Sequence, residues 1–337
     1  MLDGKSVLIT GGTGSFGQAF TQTVLQRYQP KRLIIFSRDE LKQVEMQRRF
    51  PPSEHSAIRY FLGDVRDRQR LYRAFDQVDV VVHAAALKQV PLCEYNPLEA
   101  VRTNIMGASN VIDAAIDRGV EHVMALSTDK AASPINLYGA TKLCSDKLFI
   151  AANSYVGEQQ TRFSVVRYGN VLGSRGSVIP FFLEQRKNGV LPVTDKRMTR
   201  FWITLDQAVD FVLSTLKVMR GGEIYVPKIP SMRIVDLAEA IAPQCALKEI
   251  GIRPGEKLHE VMITEDDARN TLEQKNYYII EPYGRPLNEA KAKALKGLLC
   301  AEGFRYSSET NSEWLSVEEL RALIAKMNID RRLASGA

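Results

Sequence analysis

The run Gly11-Gly12-Thr13-Gly14-Ser15-Phe16-Gly17 restricts what this chain can fold into more than any other stretch. Before it, Lys5-Ser-Val-Leu-Ile-Thr10 reads as a short buried strand. After it, a helical pattern runs through Val24 and Leu25. Glycines at 11, 14 and 17 give Gly-x-x-Gly-x-x-Gly at a strand-to-helix junction. Such a turn needs residues without Cβ so that the backbone can approach a pyrophosphate, whose charge the helix N-terminus stabilises. Gly11, Thr13, Gly14, Ser15, Phe16 and Gly17 are therefore predicted to cradle a dinucleotide.

Five further apolar runs read as strands: Arg32–Phe36, Ile58–Leu62, Val78–His83, Val120–Leu126 and Phe163–Tyr168. Helical patterns separate them, and Pro97 and Gly119 bracket a long helix containing Thr103, Asn104 and Asn110. This alternation specifies an α/β fold, a Rossmann-type doubly wound parallel sheet. Beyond about Asn170 the pattern becomes irregular, which predicts a smaller C-terminal α/β substrate-binding domain. The boundaries expected are 1–170 plus roughly 203–228 for the nucleotide domain, and 171–202 with 229–337 for the second. Val235–Ile241 is an amphipathic segment that packs, and Ile329–Ala337 reads as a frayed tail.

The second strand ends in Ser37-Arg38-Asp39-Glu40-Leu41-Lys42. Dinucleotide folds that prefer NAD place an acidic residue here, on the ribose 2′-hydroxyl. Ser37, Arg38 and Lys42 suit a 2′-phosphate instead, which predicts NADP, while Asp39 caps the next helix. Asp64 lies where it could accept the adenine amino group, and Val65 could pack on the ring. Ala84 would let the backbone lie against the cofactor, and Lys88 could touch a phosphate or sugar. His83 reads as a packed strand-end histidine with no ligand.

Chemistry concentrates between residues 127 and 142. Ser127-Thr128-Asp129-Lys130 stands at the carboxyl end of a strand, and Tyr138 and Lys142 share one face of the following helix. A phenol with an ordinary pKa near ~10 is a poor base at neutral pH. A lysine one turn away, or an oxidised nicotinamide, would favour the phenolate. That set points to a carbonyl or alcohol substrate. In the second half, arginines recur in polar settings at Arg175, Arg197, Arg200 and Arg253, and they suit a substrate diphosphate.

The 337 residues carry a formal charge of +6 with basic residues dispersed, so a nucleic-acid groove is not indicated. The four cysteines are far apart and form no metal-ligand or redox pair, which fits a reducing compartment. No leader precedes the first strand and no apolar run spans a bilayer, so a cytoplasmic protein with no membrane or metal partner is expected.

Gly11–Gly17, Tyr138-x-x-x-Lys142 and Arg167-Tyr168-Gly169-Asn170 together resemble the extended short-chain dehydrogenase/reductase family of nucleotide-sugar enzymes. Within it, Ser37–Lys42, His83–Lys88, Ser127–Ala131, Met198–Trp202 and Tyr306-Ser307-Ser308 resemble the branch that dehydrates UDP-N-acetylglucosamine across C5–C6 with inversion at C5. The resemblance covers nearly the whole chain. It implies that NADP, held also by Tyr138, Lys142 and Val171, stays bound through each turnover, and that the partner is UDP-N-acetylglucosamine. It implies catalytic roles for Tyr138 with Lys142 (proton from O4), Thr128 (hydrogen bond to O4), Lys130 (base at C5) and Asp129 (acid at O6). Lys88, Asn170, Arg175, Arg200, Arg253 and Glu256 would hold the substrate. It further implies a homo-oligomer, with a hexamer the first candidate, and a place at the start of pseudaminic acid biosynthesis, whose product decorates bacterial flagellins and surface glycans. A UDP-hexose C4 epimerase, a C5-retaining dehydratase and a catalytically silent NADP-binding regulator stay open on the residues alone.

Overall fold

A computed structural model describes residues 1–172, 178–284 and 287–334, with side chains to residue 326. The elements follow the predicted alternation. The first half contains β1 (Ser6–Thr10), α1 (Ser15–Arg27), β2 (Arg32–Ser37), α2 (Glu40–Arg49), β3 (Ile58–Leu62), α3 (Arg68–Ala74), β4 (Val80–His83), α4 (Val90–Tyr95), α5 (Pro97–Val101) and α6 (Gly107–Asp117). It continues with β5 (His122–Thr128), α7 (Leu137–Ala152) and β6 (Arg162–Tyr168). Asp39 and Asp67 cap α2 and α3, accepting from the Lys42 and Arg70 amides at 3.0 and 2.9 Å.

The long helix read from Pro97 to Gly119 is present, but α5 and α6 are joined by a π-helical stretch, Arg102–Met106. Asn104 sits in it and bonds both ways to the Leu87 backbone, donating to its carbonyl at 2.9 Å and accepting from its amide at 2.8 Å. It also donates to Thr141 Oγ1 at 3.0 Å. The extra residue in the turn lets one side chain tie the loop after β4 to α7.

The second half contains β7 (Asn170–Val171), α8 (Val178–Gln185), β8 (Val190–Val193), β9 (Thr199–Ile203), α9 (Leu205–Leu216), β10 (Ile224–Pro227), β11 (Ser231–Arg233) and α10 (Ile234–Ile241). After these come β12 (Ala246–Glu249), β13 (Val261–Ile263), α11 (Glu265–Ala268), β14 (Thr271–Glu273), β15 (Tyr277–Ile280), α12 (Glu289–Ala294), β16 (Leu298–Leu299), β17 (Tyr306–Ser307) and α13 (Val317–Ala334).

Among the described residues the main sheet has ten strands in the order β16-β14-β15-β10-β6-β5-β4-β1-β2-β3. The run from β3 to β10 is parallel, with the strand-order reversal of a Rossmann fold between β1 and β4. β15, β14 and β16 add on antiparallel. These three come from within 229–337, the stretch assigned by sequence to the second domain, and extend the main sheet. Leu272, Tyr278, Ile279 and Ile280 belong to the core of the main sheet. Strands of two to four residues carry too few alternations to be recognised from sequence. A smaller core, built on Ile179, Phe182, Leu191, Trp202, Leu237 and Leu320, sits over the other side of the cleft. The tail also differs: α13 continues through Ile329–Ala334, where no glycine or proline stops it.

Candidate active site

The first turn closes on itself as the glycine pattern requires. Gly11 has φ +65°, and a Cβ there would lie 2.9 Å from Ala85 Cα and N. The backbone after β4 therefore lies against the glycine turn, and Ala84, Ala85 and the start of α1 form one wall of a cleft of about 1090 Å³. Thr13, Gly14, Ser15, Phe16, Gly17, Ser37, Arg38, Asp39, Lys42, Asp64, Val65 and Val171 line it too. Several of these residues already have partners. Asp64 accepts from the Arg66 amide at 3.0 Å and from its guanidinium at 3.0 and 2.7 Å, with Arg38 Nη1 3.6 Å away. Lys42 Nζ pairs with Asp39 Oδ2 at 2.6 Å. His83 is buried and bonds through Nδ1 to Thr10 Oγ1 at 2.8 Å. Burial, then the charge of Lys142, pushes its pKa down to about 3, which suits the packed role.

The catalytic stretch is folded by one close approach. A Cβ on Gly139 would lie 2.2 Å from the Lys130 carbonyl oxygen, so only glycine lets the N-terminal turn of α7 pack on the short 3₁₀ turn Asp129–Ala131. Asn136 caps α7, accepting from the Gly139 amide at 2.8 Å, and its own amide donates to the Gly255 carbonyl at 2.8 Å. The Thr128 hydroxyl donates to Asp129 Oδ1 at 2.9 Å and accepts from the Lys130 amide at 3.3 Å.

Lys130 Nζ is held by three acceptors: Asp129 Oδ1 and Glu260 Oε1 at 3.1 Å each, and Asn170 Oδ1 at 3.4 Å. Burial pushes this ammonium down, but Asp129 and Glu260 outweigh it and hold its pKa above the usual lysine range. Burial pushes the Tyr138 phenol up to about 12, against the charge of Lys130 and a hydrogen bond with Thr128. After burial, the charge that acts most on the phenol is that of Lys130; Lys142, one turn further along α7 and lining the same cleft, feels the Asp146 carboxylate.

Lys142, Asp146, Ser127 and Arg167 form a second cluster beneath α7. Asp146 is fully buried, accepts from Ser127 Oγ at 2.7 Å and lies 3.5 Å from Arg167 Nη2. Burial raises its pKa in spite of Arg167 and Lys142, and burial lowers that of Lys142.

The substrate-side residues fare unevenly. Lys88, Asn170, Arg200, Arg253 and Glu256 all line the cleft, and Arg175 lies outside the described residues. Arg200 is buried, its guanidinium donating to the carbonyls of Thr199 (2.7 Å), Leu258 (3.0 Å) and Lys257 (2.8 Å), with Glu256 Oε1 at 3.7 Å. It braces the 256–260 segment, a role that sequence reasoning does not reach. Glu260 and Lys257 escape the same reasoning because a carboxylate about 130 residues from Lys130 leaves no local spacing signal. Arg197 is exposed and paired with Asp195 at 2.7 Å.

A hydroxyl, a carboxylate and an amine at the end of β5, facing a phenol on the next helix with a dinucleotide cradle behind them, define the short-chain dehydrogenase/reductase class. The chain belongs to the polysaccharide biosynthesis protein family, whose pattern matches residues 7–282. It is 55% identical over 331 residues to the UDP-N-acetylglucosamine 4,6-dehydratase (inverting) of Campylobacter jejuni, covering 96% of this chain and 98% of that one. It is 41% identical over 336 residues to the UDP-glucose 4-epimerase of Rickettsia typhi, covering 96% of each. The X-ray structure of Pen from Bacillus thuringiensis superposes with a TM-score of 0.88 at 39% identity, covering 98% of this chain and 99% of that one. No helix among the described residues is long and apolar enough to cross a membrane.

Proposed function

We propose that this chain is a UDP-N-acetylglucosamine 4,6-dehydratase that inverts C5, a lyase giving UDP-2-acetamido-2,6-dideoxy-β-L-arabino-hex-4-ulose. The observation that carries the reading is the 3.1 Å pair of Asp129 and Lys130 beside Thr128 and Tyr138, in a chain 55% identical to a curated relative of that name.

The residues fit a dinucleotide: the Gly11 turn has no room for a Cβ, and the N-terminus of the thirteen-residue α1 opens onto the cleft. Ser37, Arg38 and Lys42 would hold the 2′-phosphate of NADP, with Val65 against the adenine; Asp64 is largely taken by Arg66. Bound there, NADP would supply the acceptor for the C4 hydride and the donor that returns it to C6. Tyr138 takes the O4 proton, with Thr128 hydrogen-bonded to the same oxygen. The 4-ketone acidifies C5–H. Lys130 as the neutral amine removes that proton, the C5–H electrons form the C5–C6 double bond, and the C6–O6 bond breaks as Asp129, in its acid form, protonates O6. Water leaves, and Lys130 and Asp129 are left as ammonium and carboxylate. With the hydride back at C6, the Lys130 ammonium gives its solvent-exchanged proton to C5, and the proton that Tyr138 took from O4 returns to Asp129 through Thr128, whose hydroxyl donates to Asp129 Oδ1 at 2.9 Å; this restores the working pair. Lys88, Asn170 and Arg253 would hold the UDP-sugar.

The reading includes self-association, since Leu92, Tyr95 and Leu98 leave apolar surface exposed on α4 and α5. It places the chain at the start of pseudaminic acid synthesis for flagellin or surface glycans, in the cytoplasm. A UDP-hexose C4 epimerase is the second reading, favoured by the Rickettsia relative; it has no use for an acid–base pair at Asp129 and Lys130.

Proton NMR of the purified protein with UDP-N-acetylglucosamine in deuterated water, without added cofactor, separates these. A new C6 methyl signal with deuterium at C5 and L-configuration is the expected result. A D-configured product removes the inversion, and a galacto product of unchanged mass makes the protein an epimerase.

A further inference from the structure

Glu260 stands opposite Asp129 across the Lys130 amine and comes from the other side of the cleft. Its side chain is buried, and its backbone is pinned: its amide donates to Ser308 Oγ at 2.9 Å, and its carbonyl accepts from the Ser308 amide at 2.8 Å. Ser308 Oγ in turn pairs with Thr199 Oγ1 at 2.7 Å. Lys257 links the same segment to the catalytic turn, donating to the Ala132 carbonyl at 2.7 Å, and its Nζ lies 3.7 Å from Glu260 Oε2. Arg200 Nε is 3.9 Å from Glu260 Oε1. The carboxylate is therefore buried among Lys130, Lys257 and Arg200, and it faces an amine with three directions to fill. Asp129 and Glu260 take two of them at 3.1 Å, and the third points past Asn170, at 3.4 Å, toward the cleft.

We propose that Glu260 is the positioning residue of the C5 proton transfer: it fixes Lys130 so that the lone pair of the neutral amine faces the sugar, and it stabilises the ammonium formed when the C5 proton arrives. This rests on the dehydratase reading. A neutral amine has two N–H donors and one lone pair. With one donor held by Glu260 Oε1 and the other by Asp129 Oδ1, the lone pair has only the cleft-facing direction left. No atoms are exchanged with Glu260; the proton moves from C5 to Lys130 Nζ, and O6 leaves C6 as water with the proton of Asp129. The charged and titratable groups facing Lys130 are Asp129, Glu260, Arg200, Lys257, Lys88 and Tyr138. Removing the Glu260 charge leaves Asp129 to oppose the cations, so the amine is reached at lower pH.

The test is stopped-flow and NMR kinetics of Glu260→Gln with UDP-N-acetylglucosamine. C4 oxidation is followed as reduced cofactor absorbance, elimination as the C6 methyl, and both across pH. The expected result is oxidation retained, elimination slowed about 10–100-fold, and the rising limb of the elimination profile moved down by about one pH unit or more. Glu260→Asp, which keeps the charge but shortens its reach, should slow elimination with the limb near the wild-type pH. It keeps the proposal open to refutation if the glutamine variant does not fold. Unchanged elimination in these variants, or equal loss of oxidation and elimination with no shift in the limb, overturns the proposal. Failure of the wild-type protein to form any methyl product overturns the dehydratase reading itself and is seen before any variant is made.

Discussion

Two lysines flank Tyr138 along the chain, and their surroundings are opposite. Lys142 lines the cleft from α7 and feels the carboxylate of Asp146, which Ser127 and Arg167 hold from β5 and β6. Lys130 lies at the cleft, gripped by a carboxylate from its own turn and another from the 256–260 segment. Burial wins at Lys142 and lowers its pKa; paired carboxylates win at Lys130 and raise it. The first cluster fastens helix to sheet beneath the reacting atoms. The second keeps a proton available beside them. A motif that names both lysines does not say which does which; the neighbouring carboxylates do.

The sharpest way to break this contrast is to remove Lys130. Lys130→Ala should lower product formation about 10²–10⁴-fold, read by the methyl signal, with cofactor binding and unfolding midpoint nearly unchanged. Near-wild-type turnover would end its role as base. Asp146→Ala should do the reverse, leaving Arg167 and Lys142 buried without their carboxylate. A loss of about 3–5 kcal/mol in urea unfolding is expected, and a loss below about 1 kcal/mol would show that the lower cluster is no fastening.

A third measurement uses His83, which feels the Lys142 charge from the same floor. Its folded pKa of about 3 lies below the unfolded value near 6.5, so the unfolded chain binds the proton first as pH falls. Stability should drop by about 2 kcal/mol between about pH 6.5 and 5 from this group. His83→Gln should flatten that part of the stability–pH curve, and an unaltered curve would rule the group out. The smallest effect expected lies farthest from both lysines. Arg38→Ala should raise the Kd for NADP about tenfold and leave that for NAD in place. A tenfold or greater preference for NAD in the unaltered protein would remove the 2′-phosphate assignment altogether.

Local signals are readable where backbone geometry dictates residue type. The glycine turn, the caps at Asp39 and Asp67, the parallel strands through β6 and the shared face of Tyr138 and Lys142 all follow from short spacings. The π-helical stretch is not readable, because its cause is Asn104 bonding to a loop seventeen positions away. Glu260 is hidden for the same reason at longer range. Arg200 is legible only in part: an arginine beside a cleft suggests a ligand's phosphate, yet its donors go to two carbonyls of the 257–258 region and that of its own neighbour, Thr199. Sequence shows which groups can carry charge, and packing decides which of them face each other.

The links between Asn136 and Gly255, Ala132 and Lys257, and Lys130 and Glu260 bear on how relatives can be recombined. Exchanging the segment after β12 for that of another family member, to change the sugar accepted, also exchanges a partner of the proton-transferring amine. A chimaera joined between residues 142 and 255 therefore inherits two halves of one acid–base device from different parents. Crossover points that move 127–142 and 255–260 together are the ones that keep specificity and chemistry separable.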